Sequence, residues 1–261
     1  MSGPAALVVE RLSAGYAGRS VIAGLSLPPV PPGSVTGLIG PNAAGKTTLL
    51  RALAGLAPAH GTVRLGALEL TALDGPARAR HVTYMPQSLP QRSGLTVLES
   101  VLAAGRASAG APLAEAAARL HALETLERLG IADLALRSLA ALSGGQRQLA
   151  SLAQCLVRAP ALLLLDEPTS ALDIRHQHGV MQRVAEVAAE RGMVVLAVLH
   201  DIALASRWCA RLVVLAEGTV AADGPPEAAI TPALLARVYG VRARVERCSQ
   251  GRVQVMVDGL A

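Results

Sequence analysis

The sequence predicts an α/β fold in which the strands of a core are combined with helices. Three stretches carry this prediction. Residues 35–39 form an apolar run that leads through a glycine-bounded loop into a leucine-rich helix, and residues 161–165 form a second apolar run that ends in an acidic pair. Alanine, leucine, glutamate and arginine dominate residues 96–160, a composition typical of helices. We therefore expect a helical segment inserted between strands of the core.

The chain before the glycine-bounded loop is predicted to form short strands. Residues 5–12 and 21–27 read as two strands, the loop between them contains Tyr16, and the proline-rich residues 28–33 read as a stiff turn. After the glycine-bounded loop, leucines at positions 49, 50, 53 and 56 predict one apolar helix face, with the helix ending before Pro58.

The glycine-bounded loop has the G-x-x-x-x-G-K-[ST] pattern of a phosphate-binding loop, and it lies between a strand and a helix, as such loops do. Its N–H groups and the helix dipole would converge on phosphate oxygens, which predicts a P-loop NTPase core. We expect Lys46 to reach the β- and γ-phosphates of ATP and the Thr47 hydroxyl to bind Mg²⁺. The loop residues predicted to contact the nucleotide are Gly40, Pro41, Asn42, Ala43, Ala44, Gly45, Lys46, Thr47 and Thr48.

Two acidic residues follow the apolar run 161–165. Asp166, at the end of a buried strand, lies where a second Mg²⁺-site carboxylate is expected, and Glu167 beside it would act as general base toward the attacking water. Tyr16 is one of four aromatic residues and precedes the nucleotide site. It is predicted either to stack on adenine or to be an ordinary half-buried tyrosine.

The remaining elements follow from their patterns. Strands are predicted at 61–65, 67–70, 81–85, 193–199, 212–215 and 218–220, and helices at 147–158, 175–191 and 232–239, with two weak strands in the tail. In the helical segment, leucines at 113, 120, 123, 126 and 129 recur at helical spacing.

Composition narrows the function classes. The chain has 261 residues, 52% of them hydrophobic, with no phenylalanine and a formal charge of +5. The chain has no block of Lys and Arg and only a few aromatic side chains, which argues against nucleic acid as a partner. The cysteines Cys155, Cys209 and Cys248 are far apart, as expected of reduced thiols. The sequence shows no signal peptide and no apolar run of the roughly 20 residues that span a bilayer.

The motifs occur in the order of the ATP-binding cassette (ABC) ATPases, and the chain resembles this family over nearly its whole length. The resemblance rests on the phosphate loop, Gln87, the signature Leu142-Ser143-Gly144-Gly145-Gln146, the acidic pair, the loop that contains Asp173, and His200. It implies that Gln87 binds Mg²⁺ and senses the γ-phosphate, and that His200 contacts that phosphate and the attacking water. It also implies that the signature residues Ser143, Gly144, Gly145 and Gln146, together with Asp173, act at the ATP site of a second copy of the chain.

Ala43 departs from the family pattern, which usually has glycine at this position. If the backbone there has positive φ, alanine costs about 1 kcal/mol or more in the loop's stability.

The resemblance implies a single ABC ATPase domain over 1–261, with a nucleotide-binding core at 1–87 and 159–240, a helical subdomain at 88–158 and C-terminal strands at 241–261. It also implies that the core contains a mixed sheet and an N-terminal antiparallel β subdomain, and that the helical subdomain is inserted into the core. Softer matches at 94–101 with 105–106, and at 173–177, 199–201 and 234–241, are similar to importers of ferric siderophores, haem and cobalamin. The implied partners are two separate permease subunits and a secreted or periplasmic binding protein, with the ATPase on the cytoplasmic face of a bacterial membrane. The alternatives are an exporter's ATPase subunit and a soluble cassette ATPase that does not transport.

Overall fold

The computed structural model describes residues 5–16, 18–87, 94–107, 114–170 and 172–261. Its strands are β1 (Leu7–Tyr16), β2 (Arg19–Val30), β3 (Ser34–Ile39), β4 (Ala59–Leu65), β5 (Leu68–Glu69), β6 (Val82–Met85), β7 (Leu162–Asp166), β8 (Val194–Val198), β9 (Arg211–Ala216), β10 (Thr219–Gly224), β11 (Val241–Arg247) and β12 (Val253–Leu260). Its α-helices are α1 (Lys46–Leu53), α2 (Gly75–Ala79), α3 (Val97–Arg106), α4 (Glu115–Arg128), α5 (Gly144–Leu156), α6 (Ile174–Arg191), α7 (Ile202–Trp208), α8 (Pro226–Ala229) and α9 (Pro232–Leu234). A π-helical turn follows at Leu235–Tyr239.

The central sheet brings the ends of its parallel strands to one edge. Its strand order is β10-β9-β3-β8-β7-β6, and every neighbouring pair is parallel except β9 and β10. β7 and β8 are buried along their whole length, as strands covered on both faces are. Gly40, Gln87, Glu167 and His200 follow β3, β6, β7 and β8 and therefore lie at the same edge. The predicted mixed sheet is confirmed.

The N-terminal antiparallel sheet has the order β2-β1-β4-β5. The prediction of a turn at 28–33 was wrong at its start, because β2 continues through Pro28 and Pro29 to Val30. Proline is tolerated there because β2 is an edge strand of this sheet and its missing N–H donors are not needed. Tyr16 lies at the end of β1, paired with Arg19, and not in a loop as predicted.

The first helix is shorter than predicted. It ends at Leu53, and Leu56, predicted on its apolar face, is 56% exposed. Gly55 has φ +74°, and the N–H groups of Gly55 and Leu56 bond back to the carbonyls of Ala52 and Arg51 at 3.0 and 2.8 Å. This pattern of a left-handed glycine with two backward bonds is a Schellman motif, which stops the helix.

The chain between β6 and β7 carries α3, α4 and α5, which confirms the predicted helical insertion. Of the leucines with helical spacing, Leu126 and Leu129 are buried and Leu123 is partly buried, whereas Leu120 is 60% exposed and lies off the apolar face of α4. Leu113 lies outside the described residues. The two predicted tail strands are present as the hairpin β11–β12. None of the described helices is long and apolar enough to span a bilayer.

Candidate nucleotide site

The phosphate loop connects β3 to α1 in a conformation that glycine makes possible. Gly40 has φ +143°, and a Cβ there would lie 2.1 Å from the Leu215 carbonyl oxygen. Gly45, with φ +98°, immediately precedes the first residue of α1, Lys46. The backbone N–H groups of the loop therefore precede a helix N-terminus, which is a favourable place for phosphate.

Lys46 is buried at the centre of this loop. Its Nζ donates to the carbonyl oxygens of Gly40 and Pro41, both at 2.8 Å. Burial lowers the pKa of Lys46, while the nearby carboxylates of Glu167 and Asp166 act in the opposite direction. The side chain is thus held within the loop that the sequence predicted to bind phosphate.

Ala43 has φ +62°, in the left-handed region. This confirms the condition under which alanine was expected to strain the loop. Its side chain is exposed, so that the methyl group makes no core contact that would offset the strain.

Asp166 ends β7 beside the loop and is almost completely buried. Its Oδ1 accepts a bond from the Thr47 hydroxyl at 3.0 Å, and its Oδ2 accepts one from the Tyr84 hydroxyl at 2.8 Å. Burial raises the pKa of Asp166, although the bonds from Tyr84 and Thr47 lower it. The oxygens of Thr47 and Asp166 are hard donors of the kind that Mg²⁺ prefers, and Mg²⁺ is usually held by one or two carboxylates together with the substrate's phosphates. These residues therefore fit a Mg²⁺ ion bound with a nucleotide.

Glu167 lies next to Asp166 with the left-handed φ of +53°. Both of its carboxylate oxygens are occupied: Gln87 Nε2 donates to Oε2 at 2.6 Å, and His200 Nε2 lies 2.5 Å from Oε1. Its backbone carbonyl accepts a bond from Gln148 Nε2 at 3.3 Å. A non-glycine residue in this backbone region is uncommon, and such residues occur often at active sites. The structure thus brings the three predicted catalytic residues into contact.

A cleft of about 670 Å³ lies over the loop. The described residues that line it are Tyr16, Arg19, Ser20, Val21, Asn42, Ala43, Ala44, Gly45, Lys46, Thr47, Thr48, Glu167, His200, Glu217 and Gly218. Lys46, Thr47, Glu167 and His200 therefore share this cleft with Tyr16, the last residue of β1. The Arg51 guanidinium of α1 lies 5.6 Å from the centre of the Tyr16 ring, within the range of a cation–π interaction.

The signature residues do not line this cleft. Ser143 caps α5 in a reciprocal pair with Gln146, in which Gln146 N–H donates to Ser143 Oγ at 3.3 Å and Ser143 N–H to Gln146 Oε1 at 3.1 Å. Asp173 caps α6, accepting from the His176 backbone N–H at 2.9 Å. A Cβ at Gly145 would lie 2.9 Å from Leu172 Cδ2, so the backbone of Gly145 is packed against the Leu172 side chain. Leu172 immediately precedes Asp173, so the signature and the loop that contains Asp173 are neighbours.

Sequence reasoning missed three residues that support this site: Tyr84, Gln148 and Arg51. The Tyr84 hydroxyl donates to the Asp166 carboxylate, and the Gln148 side chain donates to the Glu167 backbone carbonyl. The Arg51 guanidinium lies over the Tyr16 ring. Tyr84 precedes Gln87 by three residues in a strand predicted to enter the core, and a polar group in such a strand is a signal that could have identified it.

Comparison with known proteins decides the family. The model of the ABC transporter family matches residues 10–170. The chain belongs to the ABC transporter family.

Relatives extend this match to most of the chain. The hemin import ATP-binding protein HmuV of Bordetella bronchiseptica is 40% identical over 92% of this chain and 94% of its own length. HmuV of Pseudomonas aeruginosa is 42% identical over 92% of this chain and 95% of its own length.

Solved ABC structures share the fold. A dimeric ATP-binding cassette in a post-hydrolysis state with ADP and phosphate covers 84% of this chain and 98% of its own, with 25% identity and a TM-score of 0.75. A chain of a metal-chelate type ABC transporter in an inward-facing conformation covers 97% of both chains, with 24% identity and a TM-score of 0.81. This ABC protein is an ATP-binding ATPase, as its sequence predicted.

Proposed function

We propose that this ABC ATPase binds ATP with Mg²⁺ in the cleft over the phosphate loop. The backbone N–H groups of residues 42–48 and the Lys46 ammonium would hold the phosphates, and the Tyr16 ring would stack on adenine. Thr47, Asp166 and Gln87 would hold Mg²⁺, which neutralises charge on the transferred phosphate when it is bound. The support for this set is the direct contact between Thr47 and Asp166 at the helix N-terminus.

Glu167 is the proposed general base. As water attacks the γ-phosphorus, its proton passes to the Glu167 carboxylate, and the bond to the bridging oxygen breaks to leave ADP and phosphate. Gln87 and His200 lie 2.6 and 2.5 Å from the two carboxylate oxygens, and each oxygen keeps a second lone pair that can accept a hydrogen bond from the attacking water. His200 would contact the γ-phosphate and the attacking water.

The signature is proposed to complete the site of a second copy. Ser143, Gly144, Gly145 and Gln146 lie at the start of α5 and, with Asp173, outside the cleft of their own chain. A capped helix N-terminus that does not face its own nucleotide is available to bind the γ-phosphate of another. Two chains would then enclose two ATP molecules.

A pair of linked dimers tests this arrangement. A Lys46→Ala chain fused to a Ser143→Arg chain should retain one intact site if the signature acts across the dimer, whereas wild type fused to the double mutant should retain none. The amount of ATP occluded per linked pair is the measurement. More occlusion in the second pair than in the first would contradict the two-chain site while leaving the nucleotide cleft intact.

The proposed cargo is haem. This proposal is supported by the similarity to hemin import ATP-binding proteins, which are 40–42% identical to the chain over 92% of its length. Ferric siderophores and cobalamin belong to the same expected class. We propose that the chain acts at the cytoplasmic face of a bacterial membrane with two separate permease subunits and a secreted or periplasmic binding protein. Residues 88–158, inserted between core segments 1–87 and 159–240, would contact the permease, and 241–261 would form a C-terminal hairpin unit.

Transport in vesicles tests the cargo. The chain is reconstituted in vesicles with candidate permease subunits so that the ATPase faces the lumen, and a candidate binding protein is added outside. Uptake of haem, a ferric siderophore and cobalamin is then measured with MgATP enclosed in the vesicles. Haem uptake and stimulation of ATP hydrolysis by haem-loaded binding protein are expected, with a Lys46→Ala chain as the control for ATP dependence. Uptake of cobalamin or the siderophore without haem would overturn the haem proposal but not the ATPase.

A further inference from the structure

The turn between β9 and β10 consists of Glu217 and Gly218. Their φ angles are +50° and +74°, and the flanking residues Ala216 and Thr219 are paired, which is the pattern of a two-residue type I′ hairpin turn. Asparagine, aspartate and glycine are the residues that favour its first position, because φ is positive there. Glutamate at position 217 is therefore not explained by the turn itself.

Contacts on two sides fix the position of this turn. The Gly218 N–H donates to the Ala44 carbonyl of the phosphate loop at 3.2 Å. On the other side, a Cβ at Gly218 would lie 2.0 Å from the Val21 carbonyl oxygen of β2. The turn is held between the phosphate loop and the strand that follows Tyr16, and Glu217 lines the nucleotide cleft there.

The chemistry of a carboxylate selects the part of the nucleotide that it can bind. An ionised carboxylate accepts hydrogen bonds and does not donate them, and it repels phosphate. With phosphates on the loop and adenine on Tyr16, the ribose lies between them, and its 2′- and 3′-hydroxyls are donors. Glu217 takes part in none of the ion pairs found among the described residues.

We infer that Glu217 is a specificity residue that accepts hydrogen bonds from the ribose hydroxyls of the bound nucleotide. The chain thereby distinguishes ribonucleoside triphosphates from deoxy analogues. This inference rests on the proposed binding of ATP in the cleft, and it assigns a role to a residue outside the family motifs.

Steady-state hydrolysis of ATP and 2′,3′-dideoxy-ATP tests the role. The wild-type chain should prefer ATP by about tenfold in KM, the effect of a charge-assisted bond at a partly exposed site. Glu217→Asn should reduce that ratio to near one, because the shorter side chain cannot reach the sugar. Asparagine is also favoured in a type I′ turn, so the variant's melting temperature should not fall.

Glu217→Gln separates hydrogen bonding from charge. The amide oxygen still accepts, so this variant should keep part of the ATP preference. Equal changes in KM for both nucleotides in both variants would show only charge repulsion and would overturn the inference, as would a wild-type chain without preference. Lys46→Ala is the control for the cleft: if it binds both nucleotides normally, the placement of ATP fails, independently of Glu217.

Discussion

Replacing Ala43 by glycine should stabilise the chain in the absence of nucleotide. Ala43 has φ +62° and an exposed side chain, so glycine removes backbone strain without removing a core contact. An L-residue in the left-handed region costs about 1–2 kcal/mol. Glycine's extra freedom in the unfolded chain offsets about 0.4–1 kcal/mol of that gain. The net stabilisation should be about 0.5–1 kcal/mol, which raises the melting temperature by roughly 1–3 °C for a chain of this size.

Urea and thermal unfolding of the nucleotide-free chain measure this effect, and Ala44→Gly is the matched control. Ala44 is the next residue of the same loop, but it is 3% exposed and is not among the residues with positive φ. Its replacement removes a buried methyl group and adds unfolded-state freedom, so it should destabilise the chain by about 1–2 kcal/mol. If Ala43→Gly destabilises the chain as Ala44→Gly does, the strain argument is refuted.

Three further changes should give distinct results. Glu167→Gln should keep ATP binding but reduce turnover by about 10²–10⁴, because an amide cannot take the water's proton, and near-normal turnover would remove Glu167 as the base. Arg51→Met should raise the KM for ATP about two- to fivefold at constant kcat through loss of the cation over Tyr16, and a change in kcat alone would contradict that role. Bonds from the His176 backbone and ring lower the pKa of Asp173 below 3.8, so its contribution to stability is present above that pH and is lost as the pH falls through the lowered value. The difference in unfolding free energy between wild type and Asp173→Asn should therefore shrink in urea titrations from about pH 5 to about pH 2, and a constant difference would exclude this coupling.

Local sequence patterns predicted the strands and the loop that carry the candidate site. The apolar run before Asp166 indicated a strand covered on both faces, and the pattern of Gly40, Gly45 and Lys46 between an apolar run and a leucine-rich segment indicated a loop before a helix. The end of α1 was also locally encoded, because Gly55 can adopt the left-handed conformation that stops a helix. Leu56 was nevertheless assigned to the helix because its spacing matched the apolar face.

The supporting contacts of the site were not predictable from local pattern. Tyr84 reaches Asp166 because β6 is next to β7 in the sheet, and their sequence separation of 82 residues gives no indication of this. Gln148 reaches Glu167 only after the helical insertion has returned α5 to the same edge. Such contacts depend on strand order and on the path of the insertion, which composition and periodicity do not specify.

The bond from the Gln148 side chain to the Glu167 carbonyl connects α5 to the backbone beside the acidic pair. Gln148 lies five residues after Ser143, which is about 7 Å along a helix axis. Gln148 is 4% exposed, so this bond lies inside the protein. It ties the first turns of α5 to the backbone of Glu167, the residue that we propose as the general base. If the signature acts at the site of a second copy, as we propose, this bond links the base of one ATP site to the signature that completes the other.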